Sequence, residues 1–397
     1  MKVCFVAEYG NRTAGGGKSL LALMTFLRDE YGIVPLLVCH RQFELIDDAK
    51  SKDIKTLVVQ GKIFAYGRNN VFLSSYIKYP LKRLYNFLHL RKIKKVLAEE
   101  NIQLVHLNST LACFEWATAA RCCGIPYIWH IREFLEADHN RIFVGKKYHI
   151  RLLRKSNAII TISKNVQSYW EDKLKRSCCL VYNGFSHKDF YDDGTKKLNQ
   201  RVLHCVIVGR IVEGKRQLDA VKAIELLVNK GMNNIELDIV GYRGDGEYEQ
   251  EVILYIKQKN LQGNINISSY TDNVKEIYAR SDVGLMCSTR EAFGRVTIEY
   301  MLAGLLVIGS NTGGTLELVD DGRTGLLYEM GNPESLAEKL EWVLANRETA
   351  KRLLLDGQRY AAENFSIERT AAGVMDVYRT CAGISVPMCA GGGTSVE

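Results

Sequence analysis

Short runs of apolar residues alternate along the chain with segments whose apolar residues recur every three or four positions. Uninterrupted runs are typical of strands buried on both faces of a parallel sheet, and the wider spacing is typical of helices that cover such sheets. The alternation predicts an α/β protein with doubly wound sheets. The predicted strands are Val3–Ala7, Pro35–Cys39, Leu104–Leu107, Tyr127–His130, Ala158–Ser163, Cys178–Tyr182, Leu203–Val208, Glu236–Val240, Val283–Cys287, Leu306–Gly309 and Gly325–Tyr328, and the predicted helices include Lys18–Tyr31, Leu218–Lys230 and Ser335–Ala345.

A polar segment divides this pattern into two halves. Residues 184–200 are rich in Asp, Lys and Gly, and a new apolar run follows them. We therefore predict a first Rossmann-like domain over residues 1–186 and a second over 187–365, with a helix over 366–380 and a disordered tail over 381–397. Because ligands of doubly wound sheets bind at the carboxyl ends of the strands, we expect the binding site in a central cleft that the two domains face.

The composition is that of a globular protein, but the charge is unevenly distributed. Of the 397 residues, 47% are hydrophobic and 25% are charged, which excludes collagen-like, disordered and small disulfide-stapled proteins. The net charge is +8, from 53 Lys and Arg against 45 Asp and Glu. Residues 1–190 hold 30 of the Lys and Arg and 16 of the Asp and Glu, which gives a net charge of +14. Residues 191–397 hold the other 23 Lys and Arg and 29 Asp and Glu, which gives a net charge of −6. We expect the basic half to face an anionic partner.

The cysteines and the hydrophobic runs indicate a cytoplasmic protein. The eleven Cys are scattered and form no CxxC pair, which favours reduced thiols over a disulfide framework or a zinc site. The apolar run at the N-terminus meets Glu8 too early for a signal peptide, and no run reaches the roughly 18 residues of a spanning helix.

Glycine-rich segments follow two of the predicted strands. Gly15–Gly17 precedes Lys18-Ser19 as in a nucleotide-binding P-loop, but that motif requires glycine where this chain has Arg12. Backbone N–H groups at such a helix start favour an anionic ligand, and a tight turn that needs glycine is the alternative. The second segment, Gly241–Gly246, has GxxGxG spacing among acidic residues, which indicates a flexible turn rather than a dinucleotide-binding loop.

The most informative segment is 288–304, where a predicted strand leads through a loop into a helix. Glu291 lies in the loop, and Glu299 lies one turn into the helix on the face it shares with Arg295. Carboxylates accept hydrogen bonds from sugar hydroxyls, while a helix start attracts phosphate, so the pair favours a sugar-phosphate ligand. The alternatives are a solvated loop acid for Glu291 and a surface pair with Arg295 for Glu299.

This segment resembles the EX7E signature of retaining glycosyltransferase family 4, whose fold is GT-B. Further matching segments lie along the chain to about residue 380, and each is short, but their combination is specific. They are Gly209-Arg210 with Gly214-Lys215, Gly313-Gly314-Thr315-x-Glu317, Asp321-Gly322-x-Thr324-Gly325, the Gly15–Gly17 loop, His106, His130, Ser163 and Asn183-Gly184.

The resemblance implies a role for each matched residue. Glu291 would contact the transferred sugar, Glu299 would hold the ribose hydroxyls, and His130 would hold a hydroxyl of the donor sugar. Arg210 and Lys215 would neutralise the donor diphosphate. The Phe293-Gly294 turn and the helix start after it would place backbone donors on sugar and phosphate. The remaining predicted nucleotide-sugar-binding residues are Gly16 and Gly17 of the first glycine-rich segment and Phe293, Gly294, Arg295 and Thr297 of this turn and helix.

Two residues depart from the family pattern. Arg216 follows Lys215 where the family usually has glycine, and Arg295 stands where an apolar residue is more frequent. Arg295 has two interpretations, a phosphate contact or an ion pair with Glu299 four residues further on.

The resemblance also implies the reaction. A sugar would pass with retention from a nucleotide-diphosphate sugar, with UDP favoured and GDP the alternative, to a glycan or lipid-linked acceptor, as in the assembly of bacterial surface polysaccharides. No cofactor is expected, and no metal, because the sequence has no DxD motif. The helix over 366–380 would cross back to the first domain.

A basic stretch in the first domain predicts a membrane-facing helix. Leu81, Leu84 and Leu88 recur at helical spacing beside cations, of which Lys92, Lys94 and Lys95 are the predicted membrane-facing residues. Such a helix suits an anionic lipid surface, which predicts a peripheral protein at the inner face of the cell membrane. The alternative is a core-packed helix with a solvated basic face. Nucleic acid is not expected as a partner, since no aromatic platform or binding module accompanies the charge.

Three other functions compete with transfer. A sugar-nucleotide epimerase and a phosphorylase would use the same fold, although the sequence lacks the context of a pyridoxal phosphate lysine that a glycogen-type phosphorylase needs. The third is a non-enzymatic nucleotide-sugar-binding protein, which loss of the binding residues would support. A metal site built on His130 and Asp138-His139 lacks further ligands.

Overall fold

The structure is a computed structural model that describes residues 1–7, 15–60, 65–67, 77–108, 114–134, 141–143, 146–190, 192, 194, 197–241, 246–271 and 273–382. It divides into two compact units. One consists of Met1–Gly184 and the segment from Ile367 onward, and the other consists of Phe185–Ser366. Most of the tail predicted to be disordered, residues 383–397, lies outside the described residues.

The first unit contains a parallel sheet of seven strands in the order β3-β2-β1-β5-β6-β8-β9, and β4 and β7 form a separate antiparallel pair. Its elements are β1 Lys2–Ala7, α1 Gly15–Tyr31, β2 Val34–Cys39, α2 Glu44–Lys50, β3 Lys55–Val58, β4 Ala65–Gly67, α3 Tyr79–Glu99, β5 Leu104–Leu107, α4 Phe114–Cys122, β6 Tyr127–Ile131, β7 Arg141–Phe143, α5 Lys146–Arg154, β8 Ala158–Thr161, α6 Lys164–Leu174, β9 Cys179–Leu180 and, from the end of the chain, α15 Ile367–Ala382.

The C-terminal helix α15 belongs to the core of this first unit. Val374 and Tyr378 are buried in one cluster with Phe5 of β1 and Leu23 of α1. The Thr370 hydroxyl donates a hydrogen bond to the carbonyl oxygen of Tyr182 at 2.8 Å. Burial of apolar surface therefore holds the helix on the sheet it covers. The helix continues to Ala382, beyond the predicted start of the disordered tail.

The second unit contains a parallel sheet of six strands in the order β12-β11-β10-β13-β14-β15. Its elements are α7 His187–Phe190, β10 Leu203–Val208, a 3₁₀ turn Glu213–Lys215, α8 Gln217–Asn229, β11 Ile235–Gly241, α9 Gly246–Gln258, β12 Ile265–Ser269, α10 Val274–Arg280, β13 Val283–Met286, α11 Arg295–Leu302, β14 Leu306–Ser310, α12 Thr315–Leu318, β15 Leu326–Tyr328, α13 Pro333–Ala345 and α14 Arg347–Asn364.

The predicted fold class is confirmed: the chain is α/β, with two Rossmann-like parallel sheets covered by helices. Each predicted strand corresponds to an observed one, although β9 is shorter than the predicted Cys178–Tyr182. Helix α1 begins at Gly15, three residues before the predicted start, so Gly16 and Gly17 lie in its first turn and not in a loop.

Strand order identifies where each sheet changes direction. The chain winds outward from β1 to β2 and then returns to place β5 on the other side, and β10, β11 and β13 repeat this arrangement. Ligands of doubly wound sheets bind beside the carboxyl ends of strands at such a switch point. The segments that follow β10 and β13, and those that follow β5 and β6, are therefore where a site is expected.

Candidate functional site

Three loops of the second unit are hydrogen-bonded to one another at the carboxyl edge of its sheet. The loop after β13 donates from the Thr289 N–H to the Gly214 carbonyl oxygen at 3.0 Å, which ties it to the turn after β10. It accepts from the Gly314 N–H at the Glu291 carbonyl oxygen at 2.8 Å, which ties it to the turn after β14. The backbone around Glu291 is thus held from both sides.

The carboxylate of Glu291 accepts a hydrogen bond from Nζ of Lys215. The two residues come from the loops after β13 and β10, and 76 positions separate them in the chain. The Glu291 side chain is 15% exposed and that of Lys215 is 29% exposed, so the pair is partly buried but reachable. The structure brings these two predicted site residues together as an ion pair at the switch point.

Helix α11 follows this loop, and its N-cap residue has a left-handed backbone conformation, which favours glycine. Gly294 has φ = +94° and is the N-cap, and Phe293 before it is buried. Thr297 is fully buried, and its hydroxyl has no hydrogen-bond partner among the described residues. Buried hydroxyls normally have a partner, so this one marks a place where a polar group from outside the described residues fits.

Close packing fixes the position of α11 under the loop. A Cβ atom on Gly284 of β13 would lie 2.3 Å from the ring of Tyr300, so only glycine lets the helix approach the strand this closely. The Tyr300 hydroxyl accepts a hydrogen bond from the Val208 N–H at 2.7 Å, where β10 ends. Burial raises the pKa of Tyr300 far above its ordinary value, so the phenol stays protonated.

Glu299 is held by two partners on its two oxygens. Its Oε1 accepts from Nη2 of Arg295 at 3.1 Å, and its Oε2 accepts from the hydroxyl of Tyr278 at 3.2 Å. The guanidinium of Arg295 also lies over the ring of Phe185, 4.5 Å from its centre. Of the two interpretations of Arg295, the structure thus shows the ion pair with Glu299. The carboxylate is oriented before any ligand binds.

Arg210 stands apart from the Glu291–Lys215 pair. Its side chain is exposed, and within the described part of the chain no hydrogen bond or ion pair joins it to Lys215 or Glu291. Its carbonyl oxygen accepts a hydrogen bond from Nε2 of Gln217 at 2.8 Å, and Gln217 is almost completely buried. Gln217 thus fixes the backbone of this turn and leaves the Arg210 side chain free to reach a ligand.

The structure explains the departure at Arg216. The residue has φ = +51°, in the left-handed region that favours glycine, which is what the resembling family usually has there. Its guanidinium makes two hydrogen bonds to the carboxylate of Asp219, at 2.6 and 2.9 Å. This bidentate pair with a buried carboxylate holds the strained turn that carries Lys215.

In the first unit, a chain of buried polar groups lies at the ends of β5 and β6. The hydroxyl of Tyr378 is 2.6 Å from Nδ1 of His106, and Nε2 of His106 is 3.2 Å from Nδ1 of His130. Arg132 approaches the same Nδ1 of His130 with Nη2 at 3.4 Å and donates from Nε to Oδ1 of Asn108 at 2.7 Å.

His106 and His130, the two histidines in this series of buried polar groups, are neutral. Burial, together with the charge of Arg132, lowers the pKa of His106 to about 3 and holds the pKa of His130 well below its ordinary value. Sequence reasoning had singled out both histidines but neither Tyr378 nor Arg132. Tyr378 lies 272 positions from His106 and has no local signal that would reveal the contact.

Gly16 faces Arg132 at the start of α1. A Cβ atom on Gly16 would lie 3.6 Å from Cδ of Arg132, an ordinary contact, so this position does not require glycine for space. Gly17 is buried in the same helical turn.

Helix α3 exposes its apolar residues over its first half. Leu81, Leu84 and Leu88 are 67%, 55% and 64% exposed, whereas Ile93 and Leu97 near the end of the helix are buried. The leucines of the predicted stripe are therefore exposed, whereas the C-terminal half of the helix packs into the core as the alternative expects. Lys92 and Lys95 are exposed and Lys94 is half-buried. None of the described helices is both long and apolar enough to cross a bilayer.

Two family models together match most of the chain. The model described as Glycosyltransferase Family 4 matches residues 32–188, and the model described as Glycosyl transferases group 1 matches residues 193–358. The second match includes the loops after β10, β13 and β14, and the first includes β5 and β6.

Individual proteins show the same similarity. An uncharacterized glycosyltransferase of Methanocaldococcus jannaschii is 26% identical over 297 residues, which are 72% of this chain and 77% of that protein. An α-1,4-N-acetyl-D-galactosaminyltransferase of Campylobacter jejuni, whose name gives a GalNAc-containing diNAcBac-PP-undecaprenol as acceptor, is 28% identical over 213 residues, 53% of this chain and 56% of that protein. The crystal structure of Anabaena HepE in complex with UDP-glucose superposes with a TM-score of 0.77 at 19% identity, over 97% of this chain and all of that one.

Proposed function

This chain is a glycosyltransferase with the GT-B fold, and we propose that it moves a sugar, with retention of configuration and without a metal, from a nucleotide-diphosphate sugar to a glycan or lipid-linked acceptor. The observation that carries this proposal is the Glu291–Lys215 pair at the switch point of the second sheet, beside the start of α11. The pair combines a carboxylate, which accepts hydrogen bonds from sugar hydroxyls, with a cation, which attracts phosphate. Both matching family models describe glycosyltransferases, which favours transfer over an epimerase, a phosphorylase or a non-enzymatic binding protein.

The leaving group explains why cations are needed. When the bond from the anomeric carbon to the diphosphate oxygen breaks, its electron pair stays on the diphosphate, and the acceptor oxygen forms the new bond on the same face. The acceptor proton passes to the departing oxygen, so no nucleophile of the enzyme is needed. Lys215, Arg210 and the positive end of α11 stabilise the developing charge and do what a divalent cation does in other enzymes.

The carboxylates divide the ligand between them in this proposal. Glu291 accepts hydrogen bonds from hydroxyls of the transferred sugar, and Lys215 contacts the diphosphate. The two residues of the ion pair thus bind the groups on either side of the bond between the anomeric carbon and the diphosphate oxygen. Glu299 accepts from the ribose hydroxyls, with Tyr278 keeping its orientation. His130 donates to a hydroxyl of the donor sugar.

The named relatives support the finer parts of the proposal. The HepE structure holds UDP-glucose, which supports UDP as the nucleotide, with GDP as the alternative. The name of the Campylobacter enzyme gives an undecaprenyl diphosphate-linked acceptor, which supports a lipid-linked acceptor.

Calorimetric titration with UDP, GDP and ADP tests the donor assignment. We expect UDP to bind, and Glu299→Gln to weaken its binding by about 10-fold, because a charged acceptor for the ribose hydroxyls is replaced by a neutral one. Glu338→Gln, an exposed residue of α13, is the matched control and should leave the affinity unchanged. Binding of none of the three nucleotides, or equal affinities for the two variants, would contradict the assignment.

We also propose that α3 lies on the anionic inner surface of the cell membrane. Its exposed leucines would enter the interface, and the cations at its C-terminal end would meet acidic headgroups. The net charge of +14 over residues 1–190 supports the same partner.

Vesicle sedimentation tests this surface. We expect binding to vesicles with acidic phospholipid that weakens with added salt. Binding should fall by about 100-fold when Lys92, Lys94 and Lys95 become Ser, because each cation near such a surface contributes about 1 kcal/mol. The control removes the same charge from the second unit, with Lys230, Lys257 and Lys275 changed to Ser. Equal binding by the two triple variants would rule this surface out.

A further inference from the structure

The buried chain Tyr378–His106–His130 has a direction, because its surroundings favour one of the two possible placements of its hydrogen atoms. Each contact joins one donor and one acceptor, and each neutral imidazole carries a single proton on one of its two nitrogens. Two arrangements therefore exist, one with the proton of His130 on Nε2 and one with it on Nδ1.

Arg132 favours one of these arrangements. Its guanidinium always carries N–H donors, and its Nη2 lies 3.4 Å from Nδ1 of His130. A proton on that Nδ1 would place two donors face to face beside a positive charge. Arg132 therefore favours Nδ1 of His130 as an acceptor, with Nε2 of His106 as the donor at 3.2 Å.

Tyr378 completes the arrangement from the other end. With its proton on Nε2, His106 has a lone pair on Nδ1, which the hydroxyl of Tyr378 fills at 2.6 Å. The phenol is buried, and burial raises its pKa well above the ordinary value, so its proton is always present. In the opposite arrangement this proton would have no acceptor among the described residues. Both ends of the chain thus favour the same direction.

At the His130 end of this buried series, one N–H donor has no acceptor among the described residues. Nε2 of His130 then carries the proton, and it has no hydrogen-bond partner among the described residues although His130 is 0% exposed. A buried N–H without a partner loses the hydrogen bond it would make to water and so destabilises the unliganded protein. His130 lies near the carboxyl end of β6, where ligands of such sheets bind, so the unpaired donor is available to a ligand group.

We infer that Tyr378, on the C-terminal helix, is a positioning residue that fixes the tautomer of His130 through His106, so that His130 presents an N–H donor to an oxygen of the transferred sugar. The inference rests on the proposed function, in which His130 contacts that sugar. It assigns the C-terminal helix a second task beyond covering the sheet.

Nitrogen NMR of the full chain labelled with ¹⁵N-histidine tests the tautomer without reference to activity. We expect long-range ¹H–¹⁵N correlations to show the His130 proton on Nε2, with His130→Gln identifying the signals. In Tyr378→Phe, His106 loses its fixed donor and only Arg132 still favours this arrangement, so both histidines should show a measurable population of the second tautomer. A proton on Nδ1 of His130 in the unaltered chain, or unchanged tautomers in Tyr378→Phe, would overturn the inference.

Kinetics of sugar transfer test the consequence. We expect Tyr378→Phe to lower kcat by about 10-fold with KM for the donor changed by less than about 2-fold, because the groups that hold the nucleotide are untouched. Tyr31→Phe, which removes a hydroxyl from α1 in the same unit, is the matched control and should behave as the unaltered chain.

A double-mutant cycle separates this role from a structural one. The amide of glutamine donates without a tautomer to set, so in the His130→Gln background Tyr378→Phe should have almost no further effect on kcat. Equal losses from Tyr378→Phe in both backgrounds would show that the hydroxyl acts through the fold alone. Absence of transfer by the unaltered chain would instead contradict the proposed function, and the NMR result would still decide the tautomer.

Discussion

Replacing Glu291 by glutamine is expected to lower kcat for sugar transfer by about 10²–10³-fold, the usual cost of removing one charged contact made to the transition state. The neutral amide keeps the size of the side chain but lacks the charge that strengthens hydrogen bonds from sugar hydroxyls. It also leaves Lys215 without its counter-charge. Steady-state kinetics with the donor that the unaltered chain uses measure the change.

Stability should be nearly unaffected by this substitution. The Glu291 side chain retains some exposure, and an ion pair of this kind contributes at most about 1 kcal/mol. The matched control is Glu213→Gln, an exposed residue of the 3₁₀ turn that also carries Lys215, which alters the local charge by the same amount. Transfer by Glu291→Gln at a rate near that of Glu213→Gln would overturn the assignment of Glu291.

Most of the fold could be predicted because its central strands are buried on both faces. Such strands read as uninterrupted apolar runs, as Leu306–Ser310 does. Sequence reasoning missed four strands. Lys55–Val58 and Ile265–Ser269 are edge strands of the two parallel sheets and have half-exposed residues, and Ala65–Gly67 and Arg141–Phe143 form the separate antiparallel pair. At a sheet edge one side lacks a covering neighbour, so the hydrophobic run is broken and the strand resembles a loop.

The candidate site could be predicted only as a set of loops. Strand order brings the ends of β10, β13 and β14 to one edge, and the glycines and acids there are visible in the sequence. The pairing of Lys215 with Glu291 depends on side-chain geometry across 76 positions. Tyr278 and Gln217 were missed for the same reason, because each acts on a predicted residue through one hydrogen bond from a different element.

Arg216 shows how a departure from a family pattern acquires a physical meaning. From the sequence it was an anomaly beside Lys215. In the structure, the left-handed backbone explains why glycine is usual, and Asp219 explains how arginine is tolerated. The turn that carries Lys215, the proposed phosphate-binding cation, is thus held by an ion pair at the position where the family usually has glycine.

Replacing Lys215 by methionine is the second substitution with a large expected effect. It should lower kcat/KM by about 10²–10³-fold and weaken UDP binding by about 10-fold, because methionine keeps the length of the side chain but cannot neutralise the diphosphate. The loss should be greater in the rate than in the affinity, since the negative charge on the diphosphate grows as the bond to the sugar breaks. Kinetics and calorimetry on the same preparation separate the two effects.

Lys230→Met is the matched control for this prediction. Lys230 forms an exposed ion pair with Glu341, so its loss should change neither rate nor affinity.

If Lys215 and Glu291 act as one unit, combining Lys215→Met with Glu291→Gln should cost little more than either change alone. EDTA should leave the unaltered chain fully active, because in the proposed mechanism Lys215 and Arg210 take the place of a metal. Activity lost to EDTA and restored by a divalent cation would show instead that the diphosphate is neutralised by a metal, and Lys215→Met would then have a much smaller effect.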